Sequence, residues 1–161
     1  MAISVGDRLP PTTFKYMADS GPADLSSDDL FGGKTVAVFG LPGAYTPVCS
    51  AQHLPGFVTR ADAFKAKGVD AIACVSVNDP FVMQAWGKDH DVGDKVTMLS
   101  DPTGDFTRAI GLELDLSDLG LGERSERYTM IVEDGVVKAL NTEKSIFEHD
   151  VSSADALLAQ M

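Results

Sequence analysis

Residues 39–57 read FGLPGAYTPVCSAQHLPGF, the end of an apolar run followed by a Gly/Pro turn and then by a helical pattern. A strand entering a tight turn and leaving it as a helix is the repeating unit of α/β proteins, so this junction sets the fold class. Upstream, Val36 to Phe39 predicts the strand. Downstream, Phe57, Ala61 and Phe64 recur at helical spacing and Gly68 offers a left-handed stop, which predicts a helix over Gly56–Lys67. Asp70 to Val77 (DAIACVSV) is a near-continuous apolar run of the kind buried on both faces of a parallel sheet. Asn78, Asp79 and Pro80 then supply caps and a first-turn proline for a helix expected to bury Phe81, Val82, Ala85 and Trp86. Val96 to Leu99 predicts a further strand, with a short helix after Asp101 and a Gly- and Leu-rich loop over Gly111–Gly122. Tyr128–Val132 and Val136–Leu140 flank Glu133-Asp134-Gly135, a hairpin turn. Ser152 with Asp155 reads as a capping box, predicting a helix over the last ten residues. Together these elements predict one α/β domain over residues 1–161, a mixed central sheet flanked by helices.

The 161 residues carry 24 acidic and 13 basic side chains, a formal net charge of −11. Such a surface repels nucleic acid and anionic membranes, so neither is expected as a partner, whereas a small neutral substrate suits it. The longest apolar stretch, Val36 to Ala44, is interrupted by Gly and Pro and falls short of the ~20 residues a spanning helix needs. The first residues, MAISVGDRLPPTTF, contain no basic segment followed by an apolar run, so no secretory signal is read there and a cytoplasmic location is expected. In that compartment Cys49 and Cys74 are expected to be reduced. No Cys-x-x-Cys occurs, and Cys49 with His53 is too small a ligand set for zinc, so no metal is expected.

The chemistry concentrates at Cys49, in the first turn of the helix after the Gly/Pro turn. Unsatisfied backbone N–H groups and the positive end of the helix dipole favour the thiolate there, and the thiolate is the nucleophile. A parallel sheet also gathers ligand sites at this carboxyl edge. Taken alone, Cys49 reads equally well as a small buried apolar residue. Thr46, three positions earlier, could act as a helix cap or as a hydrogen-bond partner of the sulfur. Pro42 and Pro47 stiffen the turn.

The segment PGAYTPVCS resembles the P-x-x-x-T-x-x-C active-site pattern of peroxiredoxins, in particular the peroxiredoxin-5-type (type II) group. The likeness continues through HLPGF from His53, SVNDPFVMQAWG from Ser76, GLELD from Gly111 and RYTMIVEDG from Arg127, and so covers nearly the whole chain. The resemblance implies a thioredoxin-like fold with N-terminal and C-terminal β additions, a homodimer and no bound cofactor. It further implies that Cys49 is the peroxidatic cysteine, Thr46 its hydroxyl partner, Pro42 the shield over the pocket and Arg127 the cationic partner. An arginine keeps its charge and offers several donors in a fixed fork, which suits Arg127 to hold a thiolate and polarise a peroxide oxygen. Arg124 is placed in the loop and left outside the catalytic set.

The implied activity is thiol-dependent reduction of hydrogen peroxide and alkyl hydroperoxides through a Cys49 sulfenic acid. Cys74 matches a second cysteine of plant-type members and is a possible resolving residue, although its apolar strand favours a buried structural role. A disulfide with Cys49 would require α-carbons within about 7 Å. A one-cysteine cycle is therefore expected, recycled by glutathione with a separate glutaredoxin, or by thioredoxin. His53, four positions after Cys49, is read as a packing or hydrogen-bonding residue rather than as a base, and His90 and His149 as solvated. Two alternatives remain at this level: a redox sensor that relays oxidation of the same cysteine, and a structural or holdase-like protein on the same fold.

Overall fold

The structure is a computed structural model and describes residues 2–161. The chain opens with an antiparallel hairpin, β1 (Thr13–Ala18) and β2 (Gly21–Ser26), followed by a short helix, α1 (Ser27–Phe31), whose start is capped by the Ser26 hydroxyl. β3 (Thr35–Gly40) then enters the sheet interior, where Val36 and Val38 pack into one core and Ala37 and Phe39 into the other. This two-residue alternation with both faces buried explains the unbroken apolar reading of the strand.

After the turn the chain is helical from Pro47, but over Cys49–His53 the helix widens to π geometry, the Leu54 N–H reaching back five residues to the Cys49 carbonyl. Pro55 supplies the reason. It has no N–H for the Ala51 carbonyl and its ring crowds that oxygen, so the turn before it opens. Two helices follow, α2 (Leu54–Thr59) and α3 (Ala61–Ala66). The single helix expected over Gly56–Lys67 is thus interrupted at Arg60, which leaves helical geometry at ψ 8°, while Gly68 ends the second helix at φ 90° as expected.

β4 (Ala71–Ser76) runs parallel to β3, with Phe39 opposite Cys74. The helix after it, α4 (Pro80–Asp89), is capped by Asp79, whose carboxylate accepts from the Val82 N–H at 2.9 Å. Its buried face holds Pro80, Met83, Trp86 and Gly87, whereas Phe81 is 60% exposed and Ala85 also faces solvent. The cap fixes the phase: once Pro80 is the buried first residue, positions three and six further on share its face and Phe81 is turned outward.

β5 (Thr97–Ser100) extends the parallel set beside β4 and is followed by α5 (Asp105–Ala109). The segment read as a loop over Gly111–Gly122 contains structure. β6 (Glu113–Asp115) and β7 (Glu123–Ser125) pair as a separate two-stranded ribbon around a 3₁₀ turn, Ser117–Leu119. β8 (Tyr128–Glu133) and β9 (Val136–Thr142) form the expected hairpin, Asp134 and Gly135 having φ of 47° and 81°. That pair of left-handed residues is the geometry an Asp-Gly hairpin turn uses.

The main sheet has the order β2-β1-β5-β4-β3-β8-β9, with β3, β4 and β5 parallel and every other pairing antiparallel. The N-terminal hairpin and β9 are the additions at its two edges. The last helix, α6 (Ala154–Leu158), is capped by Ser153, which accepts from the Ala156 N–H at 3.0 Å. Ser152, read as the cap from the sequence, is instead turned inward, where its hydroxyl donates to Glu143 at 2.6 Å. α2, α3, α4 and α6 cover the face holding Phe39 and Cys74, and α1 and α5 the face holding Val38 and Tyr128. No helix among the described residues is long and apolar enough to cross a membrane.

Candidate active site

The site forms where β3 ends. Gly40 stands opposite Tyr128 in the antiparallel pairing of β3 and β8, and a Cβ on Gly40 would collide with the Tyr128 ring. That close approach seats β8 against β3 and delivers Arg127, the residue just before β8, to the helix start carrying Cys49. The sequence separates the two by 78 positions; in space the Arg127 Nη2 donates to Cys49 Sγ at 3.2 Å. Both side chains are buried, Cys49 at 0% and Arg127 at 1% exposure. A buried guanidinium facing a sulfur stabilises that sulfur as an anion, because the low-dielectric surroundings strengthen the attraction.

Arg127 is itself held on several sides. Its Nε and Nη2 donate to the Ile146 carbonyl at 3.2 and 2.9 Å, and its Nη1 donates to His53 Nδ1 at 3.0 Å. Of the five N–H groups of a guanidinium, one on Nη1 is left without a partner among the described residues. The guanidinium that meets the nucleophile through Nη2 therefore keeps one donor on Nη1 in reserve.

The turn is braced from below. Asn78 Oδ1, at the end of β4, accepts from the Ala44 N–H at 2.9 Å and from the Ser76 hydroxyl at 2.6 Å, which fixes the loop to the sheet. Tyr45 has φ 64°, a conformation L side chains rarely adopt, and its hydroxyl donates to Asp89 at 2.7 Å. The Trp86 indole N–H donates to the Ser50 hydroxyl at 3.0 Å, tying α4 to the residue next to Cys49.

The residues expected from sequence are placed as follows. Cys49 lies in the first helical turn. Thr46 lies just before that turn, and its hydroxyl donates to the Gly43 carbonyl at 2.7 Å rather than to the sulfur, which leaves its oxygen lone pairs available. Pro42 is buried, and its carbonyl accepts from Arg124 Nη1 at 3.2 Å. Arg124 is therefore not a loop residue away from the site. It stands on β7, half-buried, beside Gly43, where a Cβ would run into its guanidinium. Burial pushes the Arg124 guanidinium down from its usual range, and a negative charge on Cys49 would oppose that effect. No local pattern marked it, because three-residue charged strands carry no alternation to read.

Cys74 is fully buried in the same core cluster as Cys49, and burial pushes its thiol well up, with a smaller push from a charge on Cys49. It is a free cysteine, as is Cys49. His149, read as solvated, is half-buried with its ring 5.4 Å from that of His53, and its Nδ1 lies 3.1 Å from Gln52 Oε1. His90 packs edge-on against Trp86. Among the described residues no group of three or more His, Cys, Asp or Glu side chains is placed to hold a metal ion.

The chain as a whole is similar to proteins of a known family. Residues 4–158 match the Redoxin family model. The chain is 48% identical to peroxiredoxin-2E of Arabidopsis thaliana, a chloroplastic protein, with 98% of this chain and 69% of that one aligned. With peroxiredoxin-2B of the same plant the identity is 46%, covering 97% of this chain and 96% of the relative. Among solved structures, reduced Prx3 of Vibrio vulnificus in complex with hydrogen peroxide superposes with a TM-score of 0.93 at 46% identity, covering 98% of each chain.

Proposed function

From a chain that belongs to the Redoxin family and is, with its relatives, a peroxiredoxin-type thiol peroxidase, we infer that Cys49 is the peroxidatic residue and that an external thiol completes its cycle. The observation that carries this reading is the buried hydrogen bond from Arg127 Nη2 to Cys49 Sγ at 3.2 Å. The thiolate attacks one oxygen of the hydroperoxide, the O–O bond breaks, and the departing alkoxide or hydroxide takes up a proton to leave as alcohol or water. The sulfur keeps the other oxygen as a sulfenic acid. The spare Arg127 N–H is the donor that would meet the charge leaving on the distal oxygen, and the Thr46 oxygen, its own proton given to Gly43, would accept from the peroxide O–H and orient it. Pro42 and the Arg124 contact to its carbonyl keep water from the sulfur.

Reduction needs a second thiol, which attacks the sulfenic sulfur to give a mixed disulfide and water; a further thiol then releases Cys49. Cys74 is poorly suited to be the first of these, being a fully buried side chain on a central strand whose thiol resists ionisation. Glutathione with glutaredoxin is favoured over thioredoxin, since a small tripeptide needs less room than a protein at a sulfur with no exposed surface. The widened turn at Cys49–His53 is the segment that would open to admit it. Exposed Phe81 and Tyr45 would offer apolar surface to a second copy in the homodimer that the resemblance implies.

The test is steady-state consumption of hydrogen peroxide with glutathione plus glutaredoxin in one series and thioredoxin in another. Cys49→Ser is expected to abolish turnover in both, and Cys74→Ser to keep it with glutaredoxin. Full turnover by Cys49→Ser would exclude the mechanism. A folded Cys74→Ser protein inactive with every reductant would make Cys74 the resolving residue.

A further inference from the structure

Behind Arg127 the structure contains a line of buried groups that the peroxidase chemistry does not itself require. His53 is fully buried, and its two ring nitrogens have partners of opposite character. Nδ1 faces Arg127 Nη1 at 3.0 Å, and a guanidinium has no lone pair to accept with, so Nδ1 must be the bare acceptor. Nε2 faces the Ser152 carbonyl at 2.9 Å, and a carbonyl has no hydrogen to give, so Nε2 must carry the proton. The two contacts together permit one state of the ring: neutral, with the proton on Nε2. Burial first, then the neighbouring Arg127 and His149, hold His53 well below its usual range, in agreement with that state.

Ser152 is fixed in turn. The Glu143 carboxylate accepts from the Ser152 hydroxyl at 2.6 Å, from the Ser152 N–H at 2.8 Å and from the Asp150 N–H at 2.7 Å. Burial opposes the charge on Glu143, but these donors outweigh it and hold the carboxyl below the usual range. A continuous path therefore runs from Glu143 through Ser152, His53 and Arg127 to Cys49.

We propose that His53 is a positioning residue: in its neutral Nε2–H form, dictated by the Ser152 carbonyl, it holds the Arg127 guanidinium in the plane and register that present Nη2 to the Cys49 sulfur and leave one Nη1 N–H free. The proposal rests on the peroxidase reading and refines it. It also separates His53 from the role of a base, because the lone pair of Nδ1 is already occupied by Arg127 and cannot take the thiol proton. The Ile146 carbonyl alone leaves the guanidinium free to swing about that single anchor. A second anchor on Nη1 removes the swing.

Two substitutions distinguish this role from packing. His53→Leu keeps an apolar body against the stacked Phe39 and Phe57 rings and removes both ring nitrogens, whereas His53→Asn puts an acceptor oxygen where Nδ1 stands and gives up the ring contacts. If His53 positions Arg127, kcat/KM for hydrogen peroxide falls at least about tenfold in His53→Leu and recovers to within about threefold of wild type in His53→Asn. Thermal stability should rank the other way. Equal losses in both variants, or a fully active His53→Leu, would overturn the proposal.

Long-range proton–nitrogen NMR of the wild-type ring provides a measurement independent of how the variants fold. A proton on Nε2 and a bare Nδ1 at neutral pH are expected; an Nδ1–H or doubly protonated ring would refute the assignment. Failure of the peroxidase reading itself would show separately, as wild-type protein that does not consume peroxide.

Discussion

At Arg127, identity of charge is not enough. The guanidinium spans Cys49, His53 and the Ile146 carbonyl with separate N–H groups, at 3.2, 3.0 and 2.9 Å for the closest contact to each. A lysine ammonium is a point charge at the end of a flexible stem and cannot present donors along three directions in one plane. Arg127→Lys is expected to lower kcat/KM for hydrogen peroxide about 10²-fold while the protein stays folded, as followed by peroxide consumption under single-turnover conditions. Near-wild-type activity in that variant would mean that charge alone suffices. The positions of Cys49 at a helix start and of Arg127 just before a strand were legible in the sequence, while the roles expected of them came only from the motifs PGAYTPVCS and RYTMIVEDG. His149 and Arg124 were not, because residues whose neighbours are acidic or loop-like read as solvated until a distant element closes over them.

Among the elements, the join of β3 to β8 governs the site's geometry. A side chain at Gly40 would meet the buried Tyr128 ring, which has no exposed face to move toward. Overpacking of this kind forces rigid neighbours apart, so Gly40→Ala is expected to cost about 3 kcal/mol in chemical denaturation and to reduce activity by shifting Arg127 away from Cys49. A variant of unchanged stability and activity would show that the ring can yield. The strands were readable because β-branched runs and the Asp-Gly turn carry their pattern locally. The break at Arg60 and the β6–β7 ribbon were not, since a helix interruption and a pair of three-residue strands leave no periodicity long enough to detect.

For the whole molecule, buried titratable groups set how stability follows pH. His53 is held neutral in the fold, below its usual range, while in the unfolded chain an imidazole protonates near pH 6.5. The unfolded state thus binds a proton that the native state refuses, and stability present above about pH 6.5 is lost as the pH falls, at up to about 1.4 kcal/mol per pH unit. Glu143, held below the usual carboxyl range, extends the loss below about pH 4.5. At the alkaline end the buried Cys74 keeps its proton while an unfolded thiol ionises near pH 8.5, so stability also declines as the pH rises beyond that point. Thermal melts from pH 4 to 10 should give a maximum near neutrality, and His53→Asn should flatten the slope between about pH 6.5 and 5. A wild-type curve level through that interval would contradict the buried neutral ring.

By itself the sequence determined the sheet-and-helix order, the placement of Cys49 at a helix start, and, through its separated motifs, the family and its peroxidase chemistry. These are local matters: strand runs, turn residues and caps act over a few positions and are written where they act. The tertiary structure alone decided which nitrogen of Arg127 meets the sulfur, which tautomer His53 adopts, and that Glu143 and Ser152 stand behind them. Those facts depend on the antiparallel pairing of β3 with β8, which brings Arg127 to Cys49 across 78 positions, and on burial that excludes water as a competing partner. Chain neighbours cannot specify either condition; only packing of the whole sheet with its helices does.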